Sequence, residues 1–560
     1  MTKYKGNLEL NWINKDQSLY YEYDNDGNPS EPQWIERDNI KVSEPRILKL
    51  VREYGDVSGL TDPLDNALIQ GDNLLALRTL VEMFKEREEK DKVKCVYLDP
   101  PYNTGTAFEK YADNLEHSQW LTMMRDRLIL IRKIMRKDGI LFVQLDDREM
   151  HYAKVLLDEI FDRNNFVATI ALSTSTASGV KTSHKERTIL KEKEYILVYK
   201  YSENSTFNPQ FKLRKKWDTH YNLYFDRINM KLIPLKDVLI KNKIMVEGST
   251  LGDLDIDSKV FQDFYLKNKE NICQTSSFKN TEIKKKSLEN KDNIIAHKNS
   301  KGNISYYLNG RELVSLVSSL NPVLSYKNRA WEYKLSLSKL LCDFWDDIDF
   351  NNTQSEGTVS FPKSKKPEFL IRRIIELSTK EGDLVLDSFL GSGTTASVAH
   401  KAKRRWIGIE IGQHAETHCI VRLNALINGK DQDQKIYHGG FRYYKLGESL
   451  LSNYKMNWNL TYEELAQALF MNFDYLFKEK INDNTFFGKS GKNIAICIVA
   501  KEMKILKKEE IQKILDKIKN NKTTKITIFT NHGVAIKNED LPDNITIKKI
   551  PESILRKYKL

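Results

Sequence analysis

Beginning at Ala67, short apolar runs alternate with amphipathic stretches. Ala67-Leu68-Ile69-Gln70 reads as a strand closed by the turn Gly71-Asp72. Asn73 reads as the N-cap of a helix with Leu74, Leu77, Leu80, Val81 and Phe84 on one face. The run Val93-Lys94-Cys95-Val96-Tyr97-Leu98 predicts a buried strand that leads straight into Asp99-Pro100-Pro101-Tyr102. Trp120, Leu121, Met124, Leu128, Ile131 and Met135 then recur at helical spacing. Lys137-Asp138-Gly139 stops that helix, and Ile140-Leu141-Phe142-Val143-Gln144-Leu145 is the next strand. A helix at about 148–161 and β-rich segments at 166–172 and 195–199 follow. This alternation predicts an α/β domain with a mainly parallel sheet covered on both faces. Residues 1–60 are polar and aromatic, with turn signals at Asn25-Asp26-Gly27-Asn28-Pro29, and read as an arm or a cap.

Between 203 and about 361 the alternation stops. Phe211, Lys212, Arg214, Lys215, Lys216, Trp217, Tyr221, Tyr224 and Phe225, then Lys284-Lys285-Lys286, Tyr306, Tyr307 and Arg311, interleave basic and aromatic side chains. The stretch reads as an inserted domain, and stacking aromatics among lysines suit nucleic acid. The rhythm returns with a helix at about 367–379, the strand Leu384-Val385-Leu386, a glycine turn, a helix and the strand Arg405-Trp406-Ile407-Gly408-Ile409-Glu410. The α/β domain is therefore expected in two pieces, 61–202 and 362–445, around an insert at 203–361. A smaller α+β region occupies 446–560, with a strand at 494–500, a charged helix at 508–520 and a strand at 526–529. Phe487-Gly488-Lys489-Ser490-Gly491 resembles the end of a phosphate loop, but Asp483 stands where the upstream glycine belongs. It reads as a plain loop.

Composition narrows the class. The 560 residues are 40% hydrophobic and 30% charged, with a mean hydropathy of -0.54, as in a water-soluble globular chain. No apolar stretch reaches the ~18 residues of a membrane span. The first residues, Met1-Thr2-Lys3-Tyr4-Lys5-Gly6-Asn7, lack the apolar core of a secretory signal. Cys95, Cys273, Cys342, Cys419 and Cys497 are scattered, which points to neither a disulfide framework nor a zinc site. A reducing cytoplasm is the expected location. The net charge of +12 suits a polyanion such as nucleic acid, although a Lys-, Asn- and Ile-rich coding bias gives the same figure.

The motifs separate these readings. Asp99-Pro100-Pro101-Tyr102 stands at the carboxyl end of a strand, where open α/β sheets bind ligands. Two prolines lock the backbone and remove its donors, so the Asp99 carboxylate and the Pro100 carbonyl form a rigid pair of acceptors. Together they can hold both hydrogens of one exocyclic amino group and turn its lone pair toward an electrophile, while Tyr102 offers a stacking face. Leu384-Val385-Leu386-Asp387-Ser388-Phe389-Leu390-Gly391-Ser392-Gly393-Thr394-Thr395 is a strand, a glycine turn and a helix start. It lacks the lysine of a phosphate loop and the third glycine of a dinucleotide site. Glu410 ends the next strand, where a carboxylate can take two ribose hydroxyls. A nucleoside without phosphate fits best, which points to S-adenosylmethionine. His414, Glu416, His418 and Cys419 lack the spacing of a zinc protease and read as surface or packing residues.

On these residues the chain resembles the amino-group DNA methyltransferases in which the catalytic motif precedes the cofactor motif. It is most similar to the modification subunits of type III restriction–modification systems. The resemblance covers about 60–445 and is carried by Asp99-Pro100-Pro101-Tyr102, Phe389-Leu390-Gly391-Ser392-Gly393-Thr394, Lys366-Pro367 and Gly440-Phe441-Arg442-Tyr443-Tyr444. It implies a Rossmann-like methyltransferase fold split by a target-recognition domain at 203–361, with catalysis by Asp99, Pro100, Pro101 and Tyr102. By the same resemblance, Asp387 contacts the methionine end of the cofactor and Phe389 packs on its adenine. Gly391, Ser392, Gly393 and Thr394 line it, Glu410 binds its ribose, and Asp72 reaches its adenine amino group. Lys366 and Pro367 belong to the helix that closes the pocket. The implied reaction methylates N6 of a flipped-out adenine in double-stranded DNA and requires no metal. The implied assembly is a homodimer with a separate helicase–nuclease partner, and 446–560 serves assembly or partner contact. Cytosine-N4 methylation, methylation of a protein glutamine amide, and a DNA-recognition subunit with an idle site are the alternatives.

Overall fold

A computed structural model describes residues 9–22, 30–85, 87–102, 116–175, 189–300, 302–327, 330–351, 353–361, 365–449, 451–452, 455–490, 493–499, 505–517, 525–535 and 541–550. The turn expected at 25–29 and the end of the charged helix, 518–520, lie outside the described residues.

The apolar runs become strands and the periodic stretches become helices. In chain order these are β1 (Arg46–Gly55), β2 (Ala67–Gln70), α1 (Asn73–Phe84), β3 (Val93–Leu98), α2 (His117–Ile134), β4 (Met135–Leu145), α3 (Met150–Phe161), β5 (Phe166–Ser173) and β6 (Lys193–Lys200). After residue 341 come β7 (Phe344–Trp345), α4 (Glu368–Ser378), β8 (Leu384–Asp387), α5 (Thr394–Lys401), β9 (Arg405–Glu410), α6 (Val421–Ile427) and β10 (Gly440–Ser449). Two local expectations change. The cap of α1 is Asp72, whose Oδ1 accepts from the Leu74 and Leu75 amides at 2.7 and 3.3 Å. Asn73 lies inside the helix and donates to the Ser388 carbonyl at 2.7 Å. Lys137-Asp138-Gly139 does not separate α2 from the next strand, because β4 begins at Met135. Val93 pairs with Met135 but Cys95 pairs with Ile140, so the charged residues between are an irregularity within the strand. Asp138 is held there by Arg136 at 2.8 Å and Lys94 at 3.0 Å.

Ten strands form one sheet in the order β7-β5-β6-β4-β3-β8-β9-β2-β10-β1. From β4 to β10 all neighbours are parallel, while β6 runs antiparallel to β4 and β5, and β1 to β10. β8 and β9, late in the chain, lie between the early strands β3 and β2. The two sequence pieces therefore interleave in one sheet. Every residue of β3 is buried, and Trp120, Leu121, Met124, Leu128 and Ile131 of α2 pack into the same core. Residues 46–55, expected in a separate arm, are instead the edge strand β1. Trp12 and Gln17 of the arm contact α2, where Trp12 Nε1 donates to Thr122 Oγ1 at 2.8 Å and Arg125 donates to the Gln17 carbonyl at 2.6 Å.

The chain divides into two compact units, 1–208 with 342–560, and 209–341. Residues 342–361, expected within the insert, belong to the first unit because β7 adds a parallel strand beside β5. The second unit holds a six-stranded antiparallel sheet and a three-stranded one. Several aromatics expected to stack on nucleic acid are its own core instead: Trp217, Tyr221, Phe225 and Tyr307 are all buried. Its charge is unequal to its length. Residues 209–341 carry 24 Lys and Arg against 14 Asp and Glu, a net +10 of the chain's +12.

The region after β10 contains α7 (Tyr462–Asn472), α8 (Lys508–Lys517) and a five-stranded sheet. Residues 487–490, read as a loop, lie in the strand Thr485–Ser490 paired antiparallel with Asn493–Ile498. Among the described residues no helix is long and apolar enough to cross a membrane.

Candidate active site

Four carboxylates gather at the carboxyl ends of four adjacent parallel strands. Asp99 follows β3, Asp387 ends β8, Glu410 ends β9, and Asp72 lies just past β2. This is where a doubly wound sheet opens a crevice for ligand. The interleaving of the sheet brings the two motifs together although almost 300 residues separate them in sequence.

Pro100 and Pro101 are buried behind Asp99, and the Trp120 indole donates to the Pro101 carbonyl at 2.8 Å, which pins the turn. The Tyr102 hydroxyl donates to Asp99 Oδ1 at 2.8 Å and also faces Glu194 Oε2 at 3.0 Å. Lys366 donates to the Tyr102 hydroxyl at 2.9 Å and pairs with Asp99 Oδ1 at 3.1 Å and Glu194 Oε2 at 3.6 Å. Gln144 donates to Glu194 at 2.6 Å and accepts from the Tyr97 hydroxyl at 2.7 Å. Burial raises the Asp99 carboxyl above its ordinary range and the Glu194 charge adds to this, while Lys366 opposes it. Burial works against the Lys366 charge too, but Asp99 and Glu194 outweigh it and hold the ammonium above the usual lysine value.

Glu194 and Gln144 escaped the sequence reading. Glu194 directly precedes the apolar run 195–199 and looks like a strand-end charge. Gln144 is the readable signal: an amide in an otherwise apolar buried strand needs a polar partner.

The glycine turn is built around two of the other carboxylates. Asp387 Oδ1 accepts from the Phe389 amide at 2.9 Å and Oδ2 from the Thr395 hydroxyl at 2.6 Å, yet burial pushes its pKa up to about 7. Glu410 Oε2 accepts from the Gly391 amide at 2.7 Å and Oε1 from the Gly412 amide at 3.2 Å. Gly391 has φ +57° and a side chain there would meet open space; Gly393 has φ +79° and packs against Cys419. Ser392 Oγ lies 3.1 Å from Thr394 Oγ1, and Thr394 accepts from Arg422 at 2.8 Å. Phe389 is buried against the core, Pro367 caps α4, and Asp72 Oδ2 lies 3.6 Å from Arg127.

These residues fit a nucleoside cofactor with a cationic tail. The space over Gly391 is open, Asp387 and Glu410 are acceptors on the elements that flank the turn, and the buried Ser388 hydroxyl has no partner among the described residues. His414 and His418 lie edge to face at 4.9 Å, and Phe361 contacts both rings. Among the described residues no cluster of three or more His, Cys, Asp or Glu could hold a metal ion.

A family model described as DNA methylase (N6_N4_Mtase) matches residues 93–420, more than half of the chain. The chain is 34% identical over 396 residues to the "Probable type III restriction-modification enzyme HindVI Mod subunit" of Haemophilus influenzae, covering 66% of this chain and 51% of that protein. It is 27% identical over 379 residues to the type II methyltransferase M.EcaI of Enterobacter cloacae, covering 66% and 72%. To the type III EcoPI Mod subunit of Escherichia phage P1 it is 27% identical over 374 residues, covering 59% and 54%. The match thus spans about half the length of the two Mod subunits.

Proposed function

This chain belongs to the N6/N4 DNA methylase family, and from that premise we propose that it transfers a methyl group from S-adenosylmethionine to N6 of adenine in double-stranded DNA. The observation that carries the reading is that Asp99-Pro100-Pro101-Tyr102 and the Gly391 turn stand at the carboxyl ends of the neighbouring strands β3 and β8. The target base leaves the duplex, at a cost of a few kcal/mol, because its amino group cannot otherwise reach a recessed site. Asp99 and the Pro100 carbonyl accept the two N–H groups of N6, which directs the nitrogen lone pair out of the ring. Tyr102 lies against the base, and Pro101 with Trp120 keeps the acceptors from drifting. Asp387, Phe389, Gly391, Ser392, Gly393, Thr394, Glu410 and Asp72 hold the cofactor, and Lys366 and Pro367 close over it. S-adenosylmethionine supplies an already activated methyl group, so the protein's task is positioning and oriented charge.

On this reading the ten-stranded sheet is a Rossmann-like methyltransferase domain, and 209–341 is the target-recognition domain. Its net +10 supports a polyanionic partner. The enzyme acts in the cytoplasm as a homodimeric modification subunit of a type III system, beside a separate restriction subunit, and 446–560 serves assembly or partner contact. The test is transfer of labelled methyl from S-adenosylmethionine to unmethylated duplex DNA, with Asp99→Ala beside it and hydrolysis of the product. N6-methyladenine that is lost in the variant supports the proposal. Label on cytosine replaces adenine with cytosine-N4 as the target. Absence of label despite tight binding of DNA and cofactor removes the catalytic claim.

A further inference from the structure

Lys366 stands ahead of α4, in the stretch that the resemblance sets at the cofactor pocket, but its ammonium is engaged elsewhere. Among the described residues it meets the Tyr102 hydroxyl at 2.9 Å, Asp99 Oδ1 at 3.1 Å and Glu194 Oε2 at 3.6 Å. An ammonium has three protons, and three oxygens surround this one. Asp99 Oδ1 also accepts from the Tyr102 hydroxyl at 2.8 Å, so a single oxygen of that carboxylate takes both neighbours. No described residue donates a hydrogen bond to Asp99 Oδ2. Asp99 thus has one committed oxygen and one open one. Asp99 and Glu194 share the one cation in a recessed site, and two like charges so placed do not both ionise readily without it.

We propose that Lys366 is a positioning residue for methyl transfer, which with Tyr102 fixes Asp99 Oδ1 so that the ionised carboxylate offers Oδ2 to the target amine. The inference rests on the reading of Asp99 as the amine acceptor, and it assigns the ammonium to that acceptor instead of to the cofactor. N6 becomes cationic as its lone pair bonds the methyl carbon and the sulfur keeps the electrons of the broken bond. It stays so until one N6 proton leaves to water. A negative Asp99 stabilises that nitrogen, and a protonated one does not. The titratable groups that face Asp99 are Lys366 ahead of α4, Glu194 on β6, Tyr102 in the same turn, Tyr97 on β3 and Asp387 on β8. Of these, Lys366 alone brings positive charge, and it is what opposes the burial and the Glu194 charge that raise the Asp99 carboxyl.

The test is steady-state methyl transfer from S-adenosylmethionine to duplex DNA across pH, with cofactor Kd from equilibrium dialysis and a melting curve for each variant. In Lys366→Met, kcat at neutral pH should fall about ten- to a hundredfold. Its acid limb should move up by about 1–3 in pH, because Asp99 loses the opposite charge that favours its ionised form. The cofactor Kd should stay within about twofold. Lys366→Arg keeps the charge and should return the acid limb and part of kcat. Glu194→Gln keeps the ammonium and removes the competing carboxylate, so its acid limb should move down. Added to Lys366→Met, it should recover part of the shift. An acid limb left in place by Lys366→Met overturns the inference. So does cofactor binding weakened about tenfold with kcat unchanged at saturating cofactor, which would return Lys366 to the cofactor. If Lys366→Met does not fold, Glu194→Gln decides, and an unmoved acid limb there overturns the inference too. Those results leave the Asp99 reading intact if Asp99→Ala is inactive. A wild-type protein that methylates no amine, or an active Asp99→Ala, takes down that reading and the role of Lys366 with it.

Discussion

Lys401→Met should be among the most damaging single substitutions outside the site. Lys401 is buried to about 1% side-chain exposure and pairs with Glu368 at 2.8 Å, Asp431 at 2.5 Å and Asp433 at 3.9 Å. Glu368 also pairs with Arg422 at 2.7 Å. Burial alone would raise the Glu368 pKa, but Lys401 and then Arg422 overcome it and hold it at about 2, against 4.5 for a free glutamate. That shift corresponds to about 3 kcal/mol favouring the ionised form in the folded state. Removing the lysine leaves Glu368 to Arg422 and takes from Asp431 its buried ion-pair partner, with Lys365 the other cation acting on both carboxylates; breaking a buried pair this way costs about 3–5 kcal/mol. The thermal transition of the unit containing the sheet should drop by about 4 °C, read by calorimetry. Because α4 begins at Glu368, directly after Lys366-Pro367, methyl transfer should weaken as well. Glu368→Gln added to Lys401→Met should recover part of the loss, because one stranded charge is removed. The sign in pH follows from the depressed pKa: the Glu368 contribution is present above about 4.5 and is lost as pH falls toward 2. A Lys401→Met protein melting within about 2 °C of wild type would refute this account of the network.

Two further outcomes follow from the cofactor side. Gly391→Ala places a Cβ in the open space where the cofactor is proposed to lie, at a left-handed φ of +57°, so S-adenosylmethionine should bind at least about tenfold more weakly, with a stability cost of about 1 kcal/mol; equilibrium dialysis and a melting curve read the two separately. Asp387, held at about 7 by burial, is half protonated at neutral pH, so the unliganded protein loses stability as pH rises from about 4 to 7. A cationic cofactor tail prefers the carboxylate, so cofactor affinity should rise between pH 6 and 8, and Asp387→Asn should flatten that rise in titration calorimetry.

The residues legible from sequence are those whose chemistry and local structure coincide. Asp99-Pro100-Pro101-Tyr102 and the glycine turn each follow a strand, so their place at carboxyl ends could be read from periodicity alone, whereas Lys366 enters only through the resemblance, which sets it at the cofactor pocket, and its ammonium meets Asp99, Tyr102 and Glu194. Glu194 could not, because its place beside Tyr102 and Lys366 depends on the antiparallel return of β6 beside β4, a pairing that no local pattern specifies. The reading of Trp217, Tyr221 and Phe225 as stacking residues failed for the opposite reason. Its pattern suggested a stacking surface, yet a 133-residue unit must first bury a core of its own, and Trp217, Tyr221 and Phe225 were the large apolar groups available. What survives of the expectation is the charge, since lysines are costly to bury and most of those described in this unit stay at the surface, Lys212 excepted. The information a DNA partner would read in 209–341 therefore lies less in its aromatic content than in where its 24 basic residues are left exposed once that core is filled.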